Sequence, residues 1–245
     1  MKIKYVTLTG ADDSTPINGL LDLSAEFSFV EWGILFSQTR QGEARYPSWQ
    51  WVNHLAMFTH LHLSAHLCGQ WVTEVMQGSL TILRQHPSID KAFGTIQLNC
   101  YKDRLRHAMY CEPLWRVISV VHNGYKPVIL GGNYSGIHVN VEQFLNAGVY
   151  PLFDASGGHG QSPRIWPSPL TTEFGTALFC GYAGGLGPDN LEKELIRIEE
   201  AAGDASIWVD MESRLRNPND EFDLKKCRRV LLAVQRWKDG NQDDG

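Results

Sequence analysis

The 245-residue chain is 43% hydrophobic and 20% charged, an ordinary globular composition at a length that suits one α/β barrel. Its net charge of -5, without a basic stripe, argues against a nucleic-acid binder. Five widely spaced cysteines with no CxxC pair argue against a disulfide framework or a zinc knuckle. No run reaches ~18 uninterrupted apolar residues and no charged-then-apolar leader opens the chain. The expectation is an untargeted cytoplasmic protein with no nucleic-acid or membrane partner and with a homodimer left open.

Strand-like and helix-like segments alternate from end to end, the signature of βα units and a parallel sheet. The strand-like runs are residues 3–9, 32–37, 61–68, 95–100, 127–131, 149–154, 176–182 and 206–210. Eight such runs are the number that closes a (β/α)8 barrel. Between the last two, Pro188 opens a helix whose apolar stripe is Leu191, Leu195 and Ile198. The final helix, residues 222–237, puts Leu224, Cys227, Leu231, Val234 and Trp237 on one face. Residues 1–237 therefore read as a single barrel domain, and the polar, acidic 238–245 as a disordered tail.

In such barrels the loops at the carboxyl ends of the strands build the active site. Gly181 to Asn190 follows a strand and opens a helix, where exposed N–H groups hold an anion, and Gly184 and Gly185 let it approach the backbone. A tight turn that merely needs glycine torsions is the alternative. Asp154 ends the sixth strand before Gly157-Gly158-His159-Gly160; a desolvated carboxyl there suits a general acid, and capping of a loop is the alternative. Along 60–68, alternation puts His62, Ser64, His66 and Cys68 on one face, directed into the barrel. Imidazoles and a thiolate are zinc ligands, so a metal-dependent hydrolase using His62 and His66 is one reading. Hydrogen-bonded core histidines are the better one, since no further ligands are evident; no metal or other cofactor is expected.

Asp154 with Gly157 to Gly160, then Ala183-Gly184-Gly185-Leu186 with Pro188-Asp189-Asn190, then Val209-Asp210 and Ser213, resembles phosphoribosylanthranilate isomerase in order and spacing. Arg45-Tyr46-Pro47-Ser48 resembles the family's arginine-bearing loop, and Ile96-Gln97-Leu98-Asn99 its Gln-Leu-His strand. The likeness covers most of the chain and is strongest over residues 149–223. It implies a barrel of the ribulose-phosphate-binding type and an Amadori rearrangement in tryptophan biosynthesis, in which an aspartate protonates the ribose ring oxygen and a cysteine removes the C2' proton. It also implies Asp154 as acid, a phosphorylated small-molecule ligand held around Gly158, Gly184, Gly185 and Ser213, Arg45 beside the anthranilate carboxylate, and Gln97 and Asp210 in the substrate site.

The departures are chemical. Thr9 stands where the family's cysteine is expected, and a hydroxyl has far too high a pKa to serve as the base. Cys68, Asp12 and Asp13 are the candidate substitutes. Arg214 falls where a glycine is expected and either binds phosphate or carboxylate or fills the site; Glu212 repels a phosphate if it points inward. A related barrel that binds or converts another phosphorylated or carboxylated ligand is therefore carried as a second reading. Most of the eight tryptophans fit helix–sheet packing; Trp166, in the loop after Asp154 and aligned with an aromatic of the resembled family's loop, is the exception and the candidate for a stacking role.

Overall fold

Strands buried on both faces read as near-continuous apolar runs. In a computed structural model of the chain, which describes residues 1–100, 103–123, 126–154 and 160–240, these runs are the staves of a barrel. They are β1 (Lys2–Thr9), β2 (Val30–Phe36), β3 (Leu63–Leu67), β4 (Thr95–Asn99), β5 (Val128–Gly132), β6 (Val149–Asp154), β7 (Cys180–Ala183) and β8 (Ser206–Met211). All neighbours are parallel, and β8 pairs with β1 to close the ring in sequence order. β2 is buried along its whole length, packed by helices outside and by side chains inside. The fold is a (β/α)8 barrel, as the alternation predicts.

The one strand displaced from its expected place is β7. The run at 176–182 does not pair from its start, because Thr176 and Leu178 are drawn into a small hairpin with Leu170 and Thr172 (Thr172 N to Thr176 O, 2.9 Å; Leu178 N to Leu170 O, 2.8 Å). Pairing with β6 begins later, at Gly181. The helix Leu191–Ala202 buries Leu191, Leu195 and Ile198 on the expected stripe. The last helix, Leu224–Gly240, starts two residues after the expected position and runs three past the expected end, so 238–240 continue it rather than fray; residues 241–245 lie outside the described residues.

Side chains that meet across the ring show which strand positions face inward. Ile129, Leu152, Ala183 and Trp208 form one apolar cluster, packed by Tyr5, Tyr150 and Phe179. Toward β1–β4 the interior is polar: Glu31 accepts hydrogen bonds from Thr7 (2.9 Å) and Thr95 (3.2 Å), and burial pushes its carboxyl up to about 7. Gln97 on β4 reaches Asp210 on β8, four strands away around the ring, at 3.3 Å. This bond spans the interior just below the mouth.

Candidate functional site

The carboxyl ends of the strands open into a cavity of about 690 Å³ including its mouth. Asp154 from β6 lines it together with Gly184 and Gly185 after β7, and with Asp210, Glu212, Ser213 and Arg214 from β8 and its loop. Thr9, His66, Gln97 and Asn99 form its deeper, polar wall.

Gly184 (φ 112°) and Gly185 (φ 66°) both adopt torsions that favour glycine. At Gly185 a second constraint operates, since a Cβ would lie 2.3 Å from the Ser162 nitrogen of the overlying β6–β7 loop. Asn190 braces this turn: its Oδ1 accepts from Gly187 N at 2.9 Å and its Nδ2 donates to the Gly185 carbonyl at 2.9 Å. The glycine torsions are those of a tight turn, and the N–H groups of Gly185, Leu186, Ser213 and Arg214 donate to no protein acceptor among the described residues. Four N–H groups from the seventh and eighth βα loops are a usable anion cradle. Ser213 opens a short 3-10 turn (Ser213–Leu215) beside Gly160. Arg214 does not fill the site: its stem packs on Gly187 and the residue is exposed at the mouth. Gly158 lies outside the described residues.

Below the cradle the chemistry is acidic. Thr9 Oγ1 donates to Asp210 Oδ1 at 2.8 Å, and Gln97 Nε2 donates to the other oxygen and to Asn99 Oδ1 (3.0 Å). Burial pushes the Asp210 carboxyl up to about 7, helped by the charges of Glu212 and Asp154 and opposed by the Thr9 and Gln97 hydrogen bonds. Gln97 Nε2 also lies 3.2 Å from His66 Nδ1. Burial pushes His66 down to about 3, so its ring is neutral, and its Nε2 has no hydrogen-bond partner among the described residues. Room for His66 and Thr9 comes from Gly33 between them, where a Cβ would sit 2.2 Å from Thr9 Oγ1 and 2.8 Å from His66 Cε1.

Other expected site residues are engaged elsewhere. Asp12 is not a free base: it is buried in an ion pair with Arg216 (2.8 Å) and also accepts from Ser14 and from Arg45 N. Burial alone would raise its carboxyl, but these hydrogen bonds and the Arg216 charge hold it below the usual range. Asp13 accepts from Ser48 N and Oγ at the start of the helix Trp49–Leu55. Cys68 lies outside the cavity wall, with Asn99 Nδ2 donating to its sulfur at 3.3 Å, and burial pushes its thiol up to about 11, the wrong direction for a base. Arg45 does not face the cavity either; its guanidinium bridges Glu212 (3.1 Å) and Asp220 (2.8 Å). The inward pull of Glu212 is thereby restrained, although burial still raises its carboxyl.

The two histidines of the metal reading are separated. His66 is buried in the wall of the mouth, whereas His62 is exposed at the opposite end beside Glu31 and Tyr150. Among the described residues no group of three His, Cys, Asp or Glu side chains is placed to hold a metal ion. Trp166 is buried rather than stacked in the cavity; its Nε1 donates to Glu194 Oε2 at 2.9 Å, which pins the β6–β7 loop to the outer helix. Asn99, which the sequence offers only as the last residue of the Ile96-Gln97-Leu98-Asn99 motif and without a role, is also a wall residue. The same period-two alternation that grouped His62, Ser64 and His66 puts Thr95, Gln97 and Asn99 on one face of β4.

No family model and no curated protein sequence matches this chain. Solved structures do match in fold. Phosphoribosyl anthranilate isomerase from Thermus thermophilus is 14% identical with a TM-score of 0.57, the match covering 97% of this chain and 100% of that one. TrpF from Jonesia denitrificans is 15% identical with a TM-score of 0.54, covering 94% and 96%. A phospho-2-dehydro-3-deoxyheptonate aldolase from Thermotoga maritima is 12% identical with a TM-score of 0.54, covering 98% of this chain and 69% of that one. At these identities the shared property is the barrel, which resembles the isomerase structures over nearly the whole chain. No helix among the described residues is long and apolar enough to cross a membrane.

Proposed function

We propose that the chain binds a phosphorylated small molecule at the mouth of its barrel and isomerises it by an Amadori-type rearrangement, as phosphoribosylanthranilate isomerase does, with Asp154 as the general acid. The observation that carries this reading is the single cavity that unites Asp154 with the N–H cradle of Gly185, Leu186, Ser213 and Arg214. A phosphate on that cradle is anchored by backbone donors and Arg214, which leaves the sugar lying over the polar wall toward Asp154. Asp154 then protonates the ring oxygen of the sugar as the ring opens. The test is turnover of phosphoribosylanthranilate by the purified protein, backed by rescue of a tryptophan auxotroph that lacks the isomerase. The expected results are turnover, growth, and loss of both in Asp154→Asn; no turnover and no growth with the unmodified chain would sink the reading.

A second reading is favoured by the fate of Arg45. With its guanidinium spent on Glu212 and Asp220, Arg45 is not held ready for an anthranilate carboxylate. A phosphorylated ligand without that carboxylate suits this wall better. In a thermal-shift screen this reading expects sugar phosphates to raise the melting temperature without turnover of phosphoribosylanthranilate.

A further inference from the structure

We propose that Asp210 is the group that removes the carbon-bound proton of the substrate, with Thr9 as the positioning residue that holds its carboxylate. The inference rests on the isomerase reading above and supplies the base which that reading lacks.

Three observations support it. First, Asp210 is where a base is needed: it lines the cavity together with Asp154 and is held by Thr9 Oγ1 at 2.8 Å, the position at which the resembled family carries its thiol. Second, the other candidates named here among the described residues are disqualified by their surroundings. Asp12 is locked to Arg216, the Cys68 thiol lies outside the wall, Glu212 is paired with Arg45, and neutral His66 is too weakly basic. Third, the groups around Asp210 suit proton transfer near neutral pH. Thr9 and Gln97 donate to its oxygens, the Glu212 carboxylate lies near enough to disfavour its charge, Asp154 faces the same cavity, and the Tyr5 phenol lies near it. Arg214 stands at the same mouth and His66 faces Gln97 without charge. A base works best when its pKa is close to the working pH, which is the range that burial gives this carboxyl.

The step balances. After Asp154 gives its proton to the ring oxygen, the substrate holds a C1=N iminium. The Asp210 carboxylate takes the proton at C2; that C–H electron pair becomes the C1=C2 bond, and the C=N pair moves onto nitrogen. Asp210, now a carboxylic acid, returns the proton to C1 as the C2 hydroxyl becomes a carbonyl, and the hydroxyl proton goes back to Asp154. Nothing is oxidised or reduced overall, and both carboxyl groups end as they began.

The test uses the full chain and phosphoribosylanthranilate across pH 5–9, with thermal midpoints and stabilisation by inorganic phosphate recorded for every variant. Asp210→Asn is expected to lower kcat by roughly 100- to 10,000-fold while phosphate stabilisation persists. Asp210→Glu, which keeps a carboxylate, is expected to retain more turnover than the amide. Thr9→Val removes a hydrogen bond that favours the charged form, so the rising limb of kcat/KM should move to higher pH, and Thr9→Ser should restore it. A folded Asp210→Asn within tenfold of the unmodified chain, or an unmoved limb in Thr9→Val, overturns the inference while leaving the isomerase reading in place. An unmodified chain without turnover, and without solvent deuterium uptake at C2, overturns both.

Discussion

The interior of this barrel has two unlike halves. Along β5–β8, Ile129, Leu152, Ala183 and Trp208 pack with Tyr5, Tyr150 and Phe179 into an apolar plug. Along β1–β4, Thr7, Thr9, Glu31, His66, Thr95, Gln97 and Asn99 form a hydrogen-bonded polar wall to which Asp210 is joined from β8. The two halves divide the work. Apolar packing resists any change of shape, whereas the polar half stores titratable groups whose ionisation is suppressed by the same burial that holds them. The buried titratable groups are therefore concentrated in the polar half, with Asp154 facing them from the end of β6.

That contrast can be broken or sharpened by experiment. The largest effect is expected on the apolar side. Trp208→Ala empties the centre of the plug and should cost about 3–5 kcal/mol in a denaturant titration; a loss below about 1 kcal/mol would mean that the plug is not the stabilising half.

On the polar side the expected effect is pH-dependent. Asp210 and Glu31 are raised to about 7 in the folded chain, well above their unfolded values. Their contribution is thus fully present below about pH 4 and is lost as pH rises through 7. Depressed to about 3, His66 has the opposite sign, and its contribution is lost as pH falls below about 6.5. Unfolding free energy measured from pH 5 to 9 should therefore fall by on the order of a few kcal/mol in the parent chain. Glu31→Gln and Asp210→Asn should each flatten that fall, and an unchanged slope in both would show that neither carboxyl carries it.

The smallest effect is expected at the rim. The Arg45 pairs with Glu212 and Asp220 are partly exposed, so Arg45→Met should cost under about 1 kcal/mol. Its value lies in what it does to ligand affinity: a large rise in KM for a carboxylated substrate, with kcat unchanged, would return Arg45 to the binding site.

The barrel was legible because burial on two faces writes apolar runs directly into the sequence, and the end of β6 at Asp154 follows from the same pattern. β7 was misjudged at its start because the local sequence 176–178 suits a strand and also a hairpin, and only the tertiary pairing decides between them. The ion pairs of Asp12 and Arg45 are illegible for a related reason. Their partners Arg216 and Glu212 lie 204 and 167 residues away, so nothing near either residue announces that its charge is already taken. The Thr9–Asp210 bond, 201 residues apart, is hidden in the same way. Asn99 is the exception, since the alternation of β4 carried the signal.

The β6–β7 loop that lies over Gly185 is hung from one outer helix, Leu191–Ala202: Trp166 is tied to Glu194, and Arg197 donates to the Pro163 (3.0 Å) and Arg164 carbonyls. Gly185 is thus in contact, through Ser162 and this loop, with the helix Leu191–Ala202, whose own start is braced by Asn190. If the proposed anion binds there, the expected outcome is slowed amide exchange along that helix on the outside of the barrel.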